Sequence, residues 1–220
     1  MVRRSLSIAG FLLMVLQLGL AQPLTLGEQY VTRGYGGKAL GQAMAHVLKW
    51  NSVRIITNNS TICAALTGSI ASSYLDSAGQ RRLEAIVFAT PEEVKALNPK
   101  EDAVALILGG QTPAEVNYGI AKGVLKALAE GNYQGALFLH LPVWRQKFLE
   151  RGAQEDPAIA RYLEGKRDIF AVEYDAQANV LSVWRVQFRE GRQVLVRQVF
   201  WRTPNPTWEN LLKKLFSGAH

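Results

Sequence analysis

Apolar residues along this chain follow two alternating spacings, one typical of helices and one typical of buried strands. Leu40, Met44, Val47 and Leu48 recur at i, i+4, i+7 and i+8, which predicts a helix. Helical patterns of this kind alternate with short apolar runs at residues 53–57, 83–89, 103–108 and 136–141. Strands that are apolar on both faces and alternate with helices are typical of a parallel sheet covered on both sides. We therefore predict a layered, Rossmann-like α/β arrangement from about residue 38 to residue 165.

The last third of the chain has a different pattern. Three strand-like runs at residues 169–174, 180–189 and 193–201 are joined by short turns, which predicts an antiparallel β-meander. Thr207 is placed to cap a terminal amphipathic helix, whose apolar face carries Trp208, Leu211, Leu212, Leu215 and Phe216.

Two domain organisations are compatible with these patterns. In the first, residues 38–220 form a single α/β domain whose mostly parallel sheet continues into the meander. In the second, residues 166–220 form a small separate unit. Because no linker rich in Pro, Gly or Ser divides the two parts, we favour the single domain.

The N-terminal residues have the three zones of an export signal. Arg3 and Arg4 provide the positive start, residues 8–20 are apolar, and small residues precede a predicted cleavage site after Ala21. The alternative is an uncleaved anchor, but Pro23 would interrupt a continuing helix. We expect residues 1–21 to be a signal peptide and the mature protein to be periplasmic or extracellular.

Residues 22–37 are rich in glycine and show no periodicity, so we expect a flexible leader there. The glycines before Lys38 do not form a phosphate-binding loop, because Ala39 stands where that loop needs Ser or Thr.

Charge and cysteine content limit the function only loosely. The formal net charge is +7, and loss of Arg3 and Arg4 with the signal would reduce it to +5, a mild basic bias. Cys63 is the only cysteine, so it forms no internal disulfide and is interpreted as a core residue. The sequence predicts no metal site and no cofactor, and it does not predict the oligomeric state.

The best candidate site lies at the predicted carboxyl ends of the parallel strands. In open α/β sheets, ligands bind at this edge, where loops lead into helix N-termini. The polar and small residues that follow the predicted strands are Asn58, Asn59, Ser60, Thr61, Gly110, Gln111 and His140. The alternative is that Ser60 or Thr61, Thr90 and Thr112 only cap their helices.

A catalytic interpretation has less support. Ser60, Gln111 and His140 could serve a hydrolase at the same edge, but no Gly-x-Ser-x-Gly motif surrounds any serine. Whether the chain is an enzyme stays uncertain, and the sequence favours a non-catalytic protein.

Arginine and tryptophan residues in the meander form the last candidate. If Glu190 and Gly191 make a two-residue turn, Trp184 faces Arg197 across the hairpin. A surface for a polyanion such as nucleic acid, or for a protein partner, would then include Trp184, Arg185, Arg189 and Arg197.

The sequence therefore favours an exported, soluble, non-catalytic binding or accessory protein of the cell envelope. Its partner would be a small polar ligand or another envelope protein. A hydrolase and a polyanion-binding module are the two alternatives.

Overall fold

The structure, a computed structural model, describes residues 24–77, 79–95 and 97–217. The predicted signal peptide lies outside these residues. Seven helices and seven strands are described, with a π-helical turn at Ala43–Val47 and a 3-10 turn at Pro91–Glu93. The helices are α1 (Leu26–Gln42), α2 (Thr61–Leu75), α3 (Ala114–Glu130), α4 (Leu141–Arg145), α5 (Phe148–Glu155), α6 (Pro157–Gly165) and α7 (Pro206–Ser217). The strands are β1 (Ser52–Asn58), β2 (Arg82–Phe88), β3 (Ala103–Ile107), β4 (Ala136–Leu139), β5 (Ile169–Asp175), β6 (Val180–Arg189) and β7 (Arg192–Arg202).

All seven strands form one mixed sheet in the order β2-β1-β3-β4-β5-β6-β7. The pairs from β2 to β5 are parallel, and β6 and β7 continue the sheet in antiparallel pairs. The mixed α/β fold predicted from the sequence is therefore confirmed, including the change from parallel to antiparallel strands. This order brings the carboxyl ends of β1, β3, β4 and β5 to one edge.

Each face of the sheet has its own apolar core. Helices α1, α2 and α7 cover one face, where Met44, Ile70 and Trp208 pack against strand residues such as Phe138. Helices α3 to α6 cover the other face, where Val124 packs among residues such as Leu106. Strands β3 and β4 are buried along their whole length, as their continuous apolar runs predict.

The flexible leader predicted for residues 22–37 is wrong from residue 26 onward, because helix α1 begins there. Thr25 caps the helix, and Thr25 and Glu28 form a reciprocal capping box. The glycines allow α1 to lie directly against α2. A Cβ atom added at Gly37 would stand 2.5 Å from the Cβ atom of Ser69, and one added at Gly41 would stand 2.6 Å from the Ile70 carbonyl oxygen.

Two local predictions at the edges of the domain are also wrong. The helix that Thr90 is expected to cap is only the short 3-10 turn at Pro91–Glu93, and the Thr90 side chain makes no cap hydrogen bond. Helix α7 is capped by Asn205 rather than Thr207, because the Asn205 Oδ1 atom accepts a hydrogen bond from the Trp208 backbone N–H.

The register of the β6–β7 hairpin differs from the predicted one. Arg189 pairs with Arg192 across the expected turn, but an irregularity beyond Leu195 shifts the pairing by one residue. Trp184 therefore pairs with Gln198, and Arg197 pairs with Arg185. Within the described residues, no helix has the length and apolarity of a membrane span.

Candidate functional site

The loops that follow β1, β3 and β4 meet at the carboxyl edge of the sheet. The Asn58 side chain donates a hydrogen bond to the Gly109 carbonyl oxygen at 2.8 Å, which joins the first two loops. The His140 ring nitrogen Nδ1 lies 3.2 Å from the Leu108 carbonyl oxygen, which joins the third. Residues that the sequence places at three separate strand ends are therefore neighbours in the fold.

Asn58 and Asn117 form a buried amide pair beneath these loops. Asn58 Nδ2 donates to Asn117 Oδ1 at 2.6 Å, and Asn58 Oδ1 accepts from the Ser60 backbone N–H at 3.0 Å. Asn117 Nδ2 in turn donates to the Thr112 carbonyl oxygen at 2.9 Å. Both Asn58 donors are used inside the protein, so this side chain braces the loops.

Ser60 and Gly110 approach each other closely at this edge. Ser60 Oγ accepts a hydrogen bond from the Cys63 backbone N–H at 3.1 Å, so it caps α2 as the alternative interpretation expects. Gly110 has a φ of +67°, and a Cβ atom there would stand 2.3 Å from Ser60 Oγ. Only glycine fits this position without a shift of the loop.

Two cavities open at the edge and divide the predicted ligand residues between them. A shallow depression of about 380 Å³ is lined by Asn59, Ser60, Thr61 and Gln111, among others. A deeper cavity of about 560 Å³ is lined by Gly110 and His140 together with parts of α1 and α7. Asn58 lines neither of these two cavities.

The walls of the deeper cavity are mainly apolar. Helix α1 closes one side with Gln29, Arg33, Gly36 and Leu40, at a spacing that places them on one helix face. The other apolar wall residues come from α2, the start of α4, β5, β6 and α7, and include Leu66, Leu141, Val172, Leu181, Trp208, Leu212 and Leu215.

Arg33 is the only Lys, Arg, Asp or Glu residue among the described residues that line this cavity. It is partly buried, and burial lowers the pKa of its guanidinium. Within the described part of the chain, no carboxylate forms an ion pair with Arg33, and its side chain has no hydrogen-bond partner. A cation that is drawn out of water without a counter-ion is costly, so this side chain is unusual.

His140 lies in the cavity wall as a neutral side chain. Burial, and then the positive charge of Arg33, lower the pKa of His140 to about 3. With Nδ1–H donating to the Leu108 carbonyl oxygen, Nε2 of the neutral ring is the acceptor. A histidine with so low a pKa is a weak base at neutral pH.

The side chains proposed for a hydrolase are not joined. Ser60 and His140 line different cavities, and no hydrogen bond connects them among the described residues. In the same part of the chain, no group of three or more His, Cys, Asp or Glu side chains is placed to hold a metal ion.

The four residues of the predicted polyanion surface are divided between the two faces of the sheet. Residues that alternate along a strand share a face, and so do residues that pair directly across two strands. Arg185, Arg189 and Arg197 therefore share one face, and Trp184 lies on the other. Arg185 also donates to the Asp168 carboxylate at 3.1 Å and to the Arg167 carbonyl oxygen at 3.2 Å.

Sequence reasoning missed α1 and α7 as walls of the site. The Thr-x-x-Glu capping signal at Thr25 and Glu28 marks the start of α1 and lies in the sequence. The recurrence of Gln29, Arg33, Gly36 and Leu40 at helical spacing would then place Arg33 on the covered face.

A protein family described as "Uncharacterized protein" matches residues 29–200, which is more than half of the chain. The chain belongs to this family. No curated protein matches it.

Two solved structures are similar to the chain at low sequence identity. One is an extracellular ligand-binding receptor from Verminephrobacter eiseniae ef01-2, with 10% identity and a TM-score of 0.38 over 82% of this chain. The other is an ABC transporter solute-binding protein from R. palustris in complex with benzoate, with 13% identity and a TM-score of 0.42 over 76% of this chain. The matches span 43% and 63% of the lengths of those two chains, respectively.

Proposed function

We propose that this chain is an exported, non-catalytic binding protein of the cell envelope that holds a small organic ligand in the deeper cavity. The observation that carries the proposal is the cavity itself. Its volume of about 560 Å³ lies within the range of small-molecule sites, and its walls are apolar with a few polar groups at fixed places.

The position of the cavity supports the same function. It opens at the carboxyl ends of parallel strands, where α/β proteins bind their ligands. The ring of Trp208, a wall residue on α7, stacks on the ring of Tyr35 on α1. The two ring centroids are 5.9 Å apart and the interplanar angle is 18°. Helices α1 and α7 are therefore joined beside the site, which favours a preformed cavity over one that the ligand must create.

Export rests on residues 1–21, whose charged start, apolar stretch and small residues before position 22 are those of a signal peptide. N-terminal sequencing of the protein isolated from its own host would test this part. A mature chain that begins at Gln22 supports export, and an intact Met1 in a soluble fraction contradicts it.

Filling the cavity tests the binding function. Gly36 lies in the cavity wall, and a Cβ atom there would meet only the Trp208 ring, at 3.9 Å. A leucine at position 36 therefore fits the helix and projects into the cavity. Gly27→Leu places the same side chain at an exposed, open position of the same helix and is the matched control.

The measurement is native mass spectrometry of the wild type and both variants after exposure to a small-molecule extract of the host. We expect the wild type and Gly27→Leu to retain the same small molecule and Gly36→Leu to lose it. Retention by all three proteins would place the ligand elsewhere, and the absence of any bound molecule in the wild type would contradict the proposal.

One observation favours a second candidate, a polyanion-binding surface. Arg185, Arg189 and Arg197 share one face of the β6–β7 hairpin, and Arg189 and Arg197 are exposed. Such a surface would bind phosphate or sulfate groups with a strong dependence on salt.

Heparin affinity chromatography tests this candidate. Retention should fall in the double variant Arg189→Gln/Arg197→Gln and persist in the control double variant Lys122→Gln/Lys126→Gln, which removes two charges from α3. Equal loss in both double variants would indicate a general charge effect instead.

A further inference from the structure

The Arg33 side chain gives the deeper cavity its single positive charge among the described residues. The guanidinium stays protonated at physiological pH even where burial lowers its pKa. The cavity lining among the described residues contains no Asp or Glu that would neutralise it. An anion supplied from outside would therefore gain a charge-assisted, bidentate contact in a site of low polarity.

The charge balance of the cavity indicates a ligand with one negative charge. His140 is neutral because its pKa is far below physiological pH, so it adds no second cation. The cavity lining holds no lysine within the described residues. A dianion such as a phosphate monoester would keep one charge unpaired, which is costly beside the apolar walls of a partly enclosed site.

The rest of the cavity suits an apolar body. Leucine and valine side chains from six elements line the wall, and the Trp208 ring lies among them. Burying aliphatic or aromatic carbon against such a surface contributes about 25 cal/mol per Å² of apolar area.

We infer that the ligand is an amphipathic monocarboxylate, whose carboxylate binds the Arg33 guanidinium and whose apolar body lies against Leu40, Leu181 and Trp208. The inference rests on the proposed function, because it names the ligand class of the same cavity. It goes further in assigning Arg33 as the residue that selects the ligand by charge.

Three ligands with the same alkyl chain and different head groups test the inference. Octanoate, 1-octanol and octylamine carry a negative, a neutral and a positive head group at pH 7, respectively. Isothermal titration calorimetry of the full chain without its signal peptide would give the dissociation constants. We expect octanoate to bind about tenfold to a hundredfold more tightly than 1-octanol, and octylamine to bind most weakly.

Two substitutions at Arg33 separate charge from shape. In Arg33→Gln, the preference for octanoate over 1-octanol should disappear while 1-octanol binds as before. In Arg33→Lys, part of the preference should remain, because a lysine keeps the charge but loses the bidentate geometry. Since Arg33 has no partner among the described residues, both variants should fold like the wild type.

The failure of this inference can be told from the failure of the proposed function. Equal binding of octanoate and 1-octanol in the wild type, abolished by Gly36→Leu, would overturn the carboxylate inference and support a cavity-binding protein. An octanoate preference that survives in Arg33→Gln would also overturn it. If the wild type bound none of the three, the carboxylate inference would fall, and the extract experiment above would decide the proposed function independently.

Discussion

Asn58 and Asn117 are joined by a buried side-chain hydrogen bond of 2.6 Å that ties the end of β1 to the first turn of α3. Each residue also forms a hydrogen bond with the backbone of a neighbouring loop. The pair therefore joins the end of β1 to the loop after β3 and to α3, both of which lie more than 50 residues further along the chain. Such a network is strong only while every member is satisfied. The shape of the carboxyl edge therefore depends on these two amides.

The first prediction concerns this pair. Asn58→Ala should lower the free energy of unfolding by about 2–3 kcal/mol, because it removes the partners of the buried Asn117 Oδ1 atom and of the Ser60 backbone N–H. Asn59→Ala should change it by less than about 0.5 kcal/mol, because Asn59 is exposed. Urea denaturation of the two variants compares them directly. Equal effects would show that the amide pair does not brace the loops.

The glycines of α1 give the second prediction. Gly37→Ala should destabilise the protein by about 1–3 kcal/mol, because the added methyl group would overlap Ser69 and force α1 away from α2. Gly34→Ala lies in the same helix with open space around it, so it should raise the stability by about 0.5–1 kcal/mol.

Thermal unfolding followed by circular dichroism would measure the effect of both alanine variants. A Gly37→Ala protein as stable as the wild type would mean that the two helices are not in close contact at this point.

The same glycines explain why the sequence predicts the sheet better than the helix that covers it. Residues 103–107 are apolar on both faces, which indicates a buried parallel strand. Residues 180–202 contain two strands joined by a short turn, which indicates an antiparallel pair. Both conclusions follow from the local pattern of the sequence. In α1, the contacts of Gly37 and Gly41 are made by backbone approach rather than by apolar side chains. A periodicity of apolar residues therefore does not reveal that helix.

For the candidate site, the sequence predicts the edge of the sheet where the residues lie but not the helices that form its walls. The strand-end rule correctly brings Ser60, Gly110 and His140 to one edge of the sheet. Arg33 and Trp208 come from helices near opposite ends of the chain, and their meeting depends on tertiary packing that local patterns do not encode. The irregular pairing beyond Leu195 is likewise a product of packing.

The third prediction is a pH dependence of stability that comes from His140. Its pKa is about 3 in the folded protein and about 6.5 when solvated, so the unfolded chain binds a proton more readily between these values. Its contribution to stability is therefore complete above about pH 6.5 and is lost as the pH falls, at up to about 1.4 kcal/mol per pH unit.

The control is His140→Asn, which keeps an N–H near the position of Nδ1 and does not titrate. Urea denaturation at pH 7 and at pH 5 should show a larger loss for the wild type than for His140→Asn. Equal losses would mean that His140 takes up a proton in the folded state near its ordinary pKa.

The fourth prediction is a conflict between stability and binding at Arg33. An unpaired, partly buried cation is costly, and a methionine would fill similar volume among the apolar wall residues. Arg33→Met should therefore raise the unfolding free energy of the ligand-free protein by about 0.5–2 kcal/mol. Octanoate should raise the unfolding free energy of Arg33→Met only slightly, whereas it should raise that of the wild type increasingly as its concentration rises. Thermal unfolding with and without octanoate measures both effects, and a loss of stability in ligand-free Arg33→Met would show that Arg33 serves the fold rather than the ligand.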